Sequence, residues 1–124
     1  MTTQANISQF EDNLSGTLTT TIAESATTSS VLDLTEGGLV LCGIFIPSSF
    51  TGTSLTFLAS PSGADDTFVE VYSTTSGTAL SYDITENTYC AIDPKDFAGI
   101  QYLQIVSGST EGAARTLICA LKGI

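Results

Sequence analysis

Turn signals cut this chain into pieces about one strand long. They fall at Gly37-Gly38, Pro47-Ser48-Ser49, Pro61-Ser62-Gly63, Ser76-Gly77, Glu86-Asn87, Asp93-Pro94, Gly99 and Ser107-Gly108. The segments between them are rich in Thr, Val, Ile, Tyr and Phe, which fit a pleated, half-buried surface. They predict strands over Thr17–Ala23, Ser30–Leu34, Leu39–Ile46, Ser54–Ser60, Thr67–Ser73, Ala79–Asp83, Thr88–Ile92, Ile100–Ser107 and Ala114–Leu121. Many short strands at roughly 8–12-residue spacing are the pattern of an all-β sandwich or barrel. The expected fold is an antiparallel β-sandwich, jelly-roll-like, with short helical corner turns and an N-terminal arm.

A chain of 124 residues fits one domain. Residues 17–124 are assigned to the sandwich and residues 1–16 to the arm. Within the arm Ile7, Phe10 and Leu14 are isolated apolar residues at spacings of three and four. That spacing suits a short amphipathic turn ordered by a partner, an extra edge strand, or a mobile tail.

Alternation predicts which faces are buried. Leu55, Phe57 and Ala59 oppose Ser54, Thr56 and Leu58, and Leu103 and Ile105 oppose Tyr102, Gln104 and Val106. Leu39–Ile46 and Thr116–Leu121 are apolar almost throughout, which predicts central strands covered on both faces. A two-sheet sandwich covers only one face of each strand. The second cover is therefore expected from another subunit.

An internal echo marks two corners. Pro47-x-x-Phe50-x-Gly52 recurs as Pro94-x-x-Phe97-x-Gly99, each after an apolar run and each before a strand. Asp93 suits a helix N-cap and Pro94 the first helical position. Phe97 then plugs the corner onto the core and Gly99 frees the chain for the next strand. Pro47 and Phe50 are expected to build the same helical turn without the acidic cap. Both corners read as structural.

Charge removes several functions. Lys95, Arg115 and Lys122 are the only cations against thirteen carboxylates, for a formal charge of −10. Three scattered cations cannot neutralise a row of phosphates or hold an anionic membrane, so neither nucleic acid nor membrane is an expected partner. There is no His, hence no Ser–His–Asp or Cys–His pair and no imidazole ligand for zinc. No stretch reaches the ~18 apolar residues of a membrane span. The first eight residues lack the order of a secretory signal, which predicts synthesis in a reducing cytoplasm. Cys42, Cys90 and Cys119 each sit in an apolar run and read as free, buried core thiols.

The remaining candidates for chemistry are few. Asp65-Asp66, Asp83 with Glu86, and Asp93 with Asp96 lie in loops, but no Asp-x-Asp-x-Asp-Gly loop is present, and no cofactor is expected. Paired carboxylates can hydrolyse glycosides, yet the chain has no Trp to line a sugar cleft. No enzymatic activity is expected. Arg115 either orients a carboxylate across a subunit boundary or stands as an exposed cation worth under ~1 kcal/mol. Phe68, Tyr72, Tyr82, Tyr89 and Tyr102 supply either a sugar-stacking platform or core and interface area.

From Val31 onward the order of motifs resembles a recurring type of small structural protein of tailed bacteriophages, of the capsid decoration (cement) kind. The likeness is carried by residues 38–47 (GLVLCGIFIP), 53–57 (TSLTF), 67–72 (TFVEVY), 92–103 (IDPKDFAGIQYL), 106–108 (VSG) and 114–117 (ARTL). Phe50 stands where Trp is common, Ala113-Ala114 precede Arg115 where an acid is usual, and the arm lies outside the likeness. The resemblance implies a virion β-sandwich on the capsid exterior, with no active site and with the major capsid protein as partner. It is compatible with a homo-oligomer, trimer or dimer, and with a carbohydrate-binding or fibre-associated module as the alternative. Ile7, Phe10, Leu14, Arg115, Tyr72 and Tyr102 are the candidate capsid or subunit contacts.

Overall fold

The computed structural model describes residues 15–35 and 39–123. Strand β1 (Ser15–Ile22) shows the logic of the whole molecule: Thr20 and Ile22 are buried while Thr17, Thr19 and Thr21 face outward. The other described strands are β2 (Leu32–Asp33), β3 (Leu39–Ile46), β4 (Ser54–Ser60), β5 (Val69–Glu70), β6 (Tyr82–Asp83), β7 (Thr88–Ala91), β8 (Tyr102–Ser107) and β9 (Arg115–Gly123). One sheet runs β1-β9-β3-β7. The second runs β2-β8-β4, with β5 and β6 sharing the outer edge of β4. All pairings are antiparallel.

Successive strands alternate between the sheets except along β4–β5–β6. With β5 and β6 counted as one broken strand, this is the strand order of a jelly roll. The inner faces meet in one core, in which Ile22, Leu41, Ile44, Leu55, Phe57, Phe97, Leu103, Ile105 and Leu117 are essentially inaccessible to water. Each such side chain contributes about 1.5–3 kcal/mol relative to exposure. The alternation read for β8 holds, and that for β4 holds through Phe57: Leu55, Phe57, Leu103 and Ile105 point in, but Ala59 is only half-buried and Ser60 is the buried residue at the end of β4.

Four expectations are corrected. First, β1 starts at Ser15, so Ser15 and Gly16 pair with Lys122 and Leu121 rather than belonging to an arm. Ile7, Phe10 and Leu14 lie outside the described residues. Second, β2, β5 and β6 shrink to two residues each, and Thr67 ends a 3-10 turn (Asp65–Thr67) instead of opening a strand. The Thr67 hydroxyl is engaged there by Ser60 and by the Ala64 carbonyl, a local bond that competes with the sheet ladder.

Third, the chain itself already buries both phases of β3 in part, at Val40 with Leu41 and at Gly43 with Ile44, and leaves Phe45 on β3 and Ile118 on β9 open on the face where a second cover is expected. Phe45 is 47% and Ile118 41% exposed. The register shifts between Leu41 and Gly43, leaving Cys42 as the extra residue of a bulge. A bulge moves the inward phase by one residue, so Leu41 and Ile44 both pack inside although three apart. Cys119 is buried as expected, but Cys42 and Cys90 are only half-buried.

Fourth, only one of the two corners is helical. Asp93 accepts the Lys95 N–H at 3.1 Å, Pro94–Asp96 form a 3-10 turn, and Gly99 sits at φ +89°. Phe97 is fully buried and meets Phe57 edge-on, ring centres 4.9 Å apart. The Pro47 corner has no helical turn. Its Ser49 adopts φ +64°, and the Ser49 N–H donates to the Glu86 carboxylate 37 residues away. Phe50 still reaches the core. Both corners carry the chain from the first sheet to the second, as crossover loops.

Candidate functional site

The outer face of the first sheet is where large apolar side chains gather in water. The ladder places Thr19 opposite Ile118, Ile118 opposite Phe45, and Phe45 opposite Tyr89, one residue from each of the four strands. Residues directly opposite on one face are neighbours. The result is a row, Thr19–Ile118–Phe45–Tyr89, in which three members are 41–47% exposed.

Gly43 shapes this row. A Cβ at position 43 would overlap the Tyr89 phenol, so the ring lies across β3 where a side chain would stand. The same ring is 4.6 Å from that of Phe45, tilted by 54°. Beside it runs a low row of small residues, Thr17, Ala120, Gly43 and Ala91. Lys122, exposed on β9, follows the same outward phase. Among the described residues no strand position on this face is a carboxylate, in a chain of charge −10.

A second apolar surface lies on the other sheet, at the outer edge formed by β5. Val69 is 65% and Tyr72 60% exposed. Next to them a shallow groove of about 370 Å³ is lined by Ala59, Pro61, Val69 and Ile100. A further hollow of about 260 Å³ lies across Gly99–Gln101, against Leu34 and Val40.

Arg115 keeps 17% of its side-chain surface in water and already has a partner. It pairs within the chain with Glu111, a residue the sequence reading passed over. Oε1 of Glu111 accepts the Thr51 N–H at 2.8 Å and the Arg115 Nε–H at 3.0 Å. Oε2 accepts the Gly52 N–H at 2.9 Å and the Ser107 hydroxyl at 2.8 Å. Glu111 itself has no exposed surface. Burial pushes its carboxyl up, but the four donors together outweigh that and hold it below the usual glutamate range. This carboxylate ties the Pro47 corner to the end of β8 and the start of β9. A sequence signal existed: Glu111 is the only acid after Asp96, and it precedes the only Arg by four residues.

The remaining aromatics do not form one platform. Tyr102 is half-buried, and a Cβ on Gly63 would touch its ring at 3.0 Å. Tyr82 packs edge-on against Phe57, and its hydroxyl accepts the Asp93 N–H at 3.1 Å. Tyr89 belongs to the first sheet; Tyr72, Tyr82 and Tyr102 lie along the second. Of the proposed contact residues that the structure describes, Tyr72 alone is openly exposed. Among the described residues no three of Cys, Asp or Glu gather as metal ligands would.

Comparison with known proteins adds a fold relative. No protein-family profile matches the chain, and no curated protein matches it. Among solved structures the chain is similar to the SPBc2 prophage-derived protein YomS, with a TM-score of 0.52 at 16% identity. The likeness covers 89% of this chain and 96% of that one. At that identity it speaks to the shared fold.

Proposed function

We propose that this chain is a structural protein of a tailed-phage virion that binds the assembled capsid and stabilises it, with the major capsid protein as its partner. The observation that carries this reading is the pair of exposed apolar patches on two different sheets: one chain can bridge two neighbours. The resemblance of residues 31–124 to capsid decoration proteins supports it, and so does the shared fold with a prophage-derived protein. Fold alone does not assign function. The patches and the resemblance are what point to a shell.

The physical mechanism is linkage. A protein that binds the expanded shell but not loose subunits lowers the free energy of the assembled state, by an amount that grows with occupancy. It needs contact area and no reacting group. The acids outside the patches, such as Asp65, Asp66 and Asp83, keep an apolar chain soluble.

Mixing the purified protein with empty expanded capsids and with unexpanded precursors tests the reading. Saturable binding to the first and weak binding to the second is the expected result. Equal failure to bind both, with the protein folded, would sink it.

A further inference from the structure

We infer that the outer face of the β1-β9-β3-β7 sheet is the seat of a second copy of this chain, so that the free protein is a two-fold dimer stacked sheet to sheet. The β5 edge and its groove are left for a different partner.

Charge selects a copy as the occupant. Two molecules of charge −10 repel wherever they meet, and the cost is least where neither presents an acid. The strand positions of this face present none among the described residues. Its one charged side chain, Lys122, lies at one end. At the opposite end the flanking turns carry Glu24 and Glu86, while at the Lys122 end the turn after β7 carries Asp93 and Asp96 with Lys95 between them, off the β7 edge. A two-fold axis lying across the strands, over the Phe45 row, sets the strands antiparallel. It brings each Lys122 toward the acidic end of the other copy. An axis along the strands would set lysine on lysine and acid on acid, so the first arrangement wins.

Size and shape agree. Three strands of eight or nine residues and the four-residue β7 give a face of roughly 450 Å² per copy, hence about 900 Å² in a pair, the size of a weak interface with a micromolar Kd. Its apolar row supplies the anchors: Phe45, Tyr89 and Ile118 are large, and the first two hold each other in place. With the axis over this row, each anchor meets its own counterpart, Phe45 on Phe45 and Ile118 on Ile118. Sheets stack in this manner about 10 Å apart throughout β-sandwiches.

Sedimentation velocity on the wild type, Ile118→Glu and Val69→Glu tests the inference, with circular dichroism confirming that each is folded. The wild type and V69E are expected to be dimers at about 100 µM, where a complex of micromolar Kd is almost fully associated. I118E is expected to be a monomer, its Kd raised at least ~100-fold by two carboxylates placed in an apolar contact. Lys122→Glu, at an exposed position of β9, is expected to weaken the dimer and to make it favour high salt. A monomeric wild type, a trimer, or an I118E dimer as tight as wild type would overturn the inference. The measurement uses the free protein. A dimer that ignores capsids would therefore sink the capsid reading alone, and a capsid-binding monomer would sink the dimer alone.

Discussion

The Nε–H of Arg115 donates to Oε1 of Glu111 across 3.0 Å; the guanidinium side keeps 17% of its surface in water and the carboxylate none. The pair closes a loop in which the chain turns from β8 into β9, and the other carboxylate oxygen holds Gly52 and Ser107. Removing the carboxylate leaves the Gly52 N–H and the Ser107 hydroxyl, both buried, without their acceptor.

Glu111→Gln is expected to cost about 2–4 kcal/mol at neutral pH, because backbone N–H groups and Arg115 lose a charged acceptor. The pH dependence follows from the lowered folded-state value. A carboxyl that is more acidic in the folded state contributes stability above its unfolded value, about 4.3, and loses it as pH falls through the lower folded value. Urea melts of the wild type should therefore weaken below about pH 4.5, and those of E111Q should weaken less steeply. Parallel curves would remove Glu111 from that role.

Phe97→Ala is expected to cost about 3–5 kcal/mol, since the ring is wholly buried against Phe57. Gly99→Ala separates packing from backbone at the same corner. A Cβ there meets nothing within 4 Å, yet φ is +89°. Its cost should be only about 1–2 kcal/mol, all of it left-handed strain. A loss under 1 kcal/mol for Phe97→Ala would mean the corner does not seal the core.

Gly43→Ala is expected to push the Tyr89 ring off β3 and cost about 1–3 kcal/mol. Tyr89→Ala in that background should recover part of the loss, giving a coupling of about 0.5 kcal/mol or more in a double-mutant cycle. Additive effects would show that the ring does not rest on residue 43.

Thiol labelling reads the burial of the three cysteines. Burial pushes Cys119 up to about 12, and burial also raises Cys90. Iodoacetamide on the native protein should mark Cys42 first, Cys90 more slowly, and Cys119 only after denaturation, as followed by mass spectrometry. Early labelling of Cys119 would contradict the packing of the first sheet against the second.

Much of the fold was legible in the sequence because strand periodicity and turn chemistry are local. Leu103 and Ile105 revealed their face, and Asp93-Pro94 announced a capped turn from adjacent residues. The continuous apolar run of Leu39–Ile46 misled, since a bulge at Cys42 brings extra residues inward and the exposed Phe45 looks no different in sequence. The Pro47 corner was misread for a related reason. Its acidic partners, Glu86 and Glu111, come from distant points in the chain, and no local pattern encodes them. The outer row on the first sheet needed the register, which pairs Phe45 with Ile118 and Tyr89 only after folding.

The most direct measurement is a density reconstruction of the virion of a phage that carries this chain. The account predicts a jelly roll seated on the outside of the shell, with the Val69 edge against the major capsid protein and a second copy on the Phe45 face. Particles in which the chain sits on the tail, or whose shells lack it entirely, would contradict it.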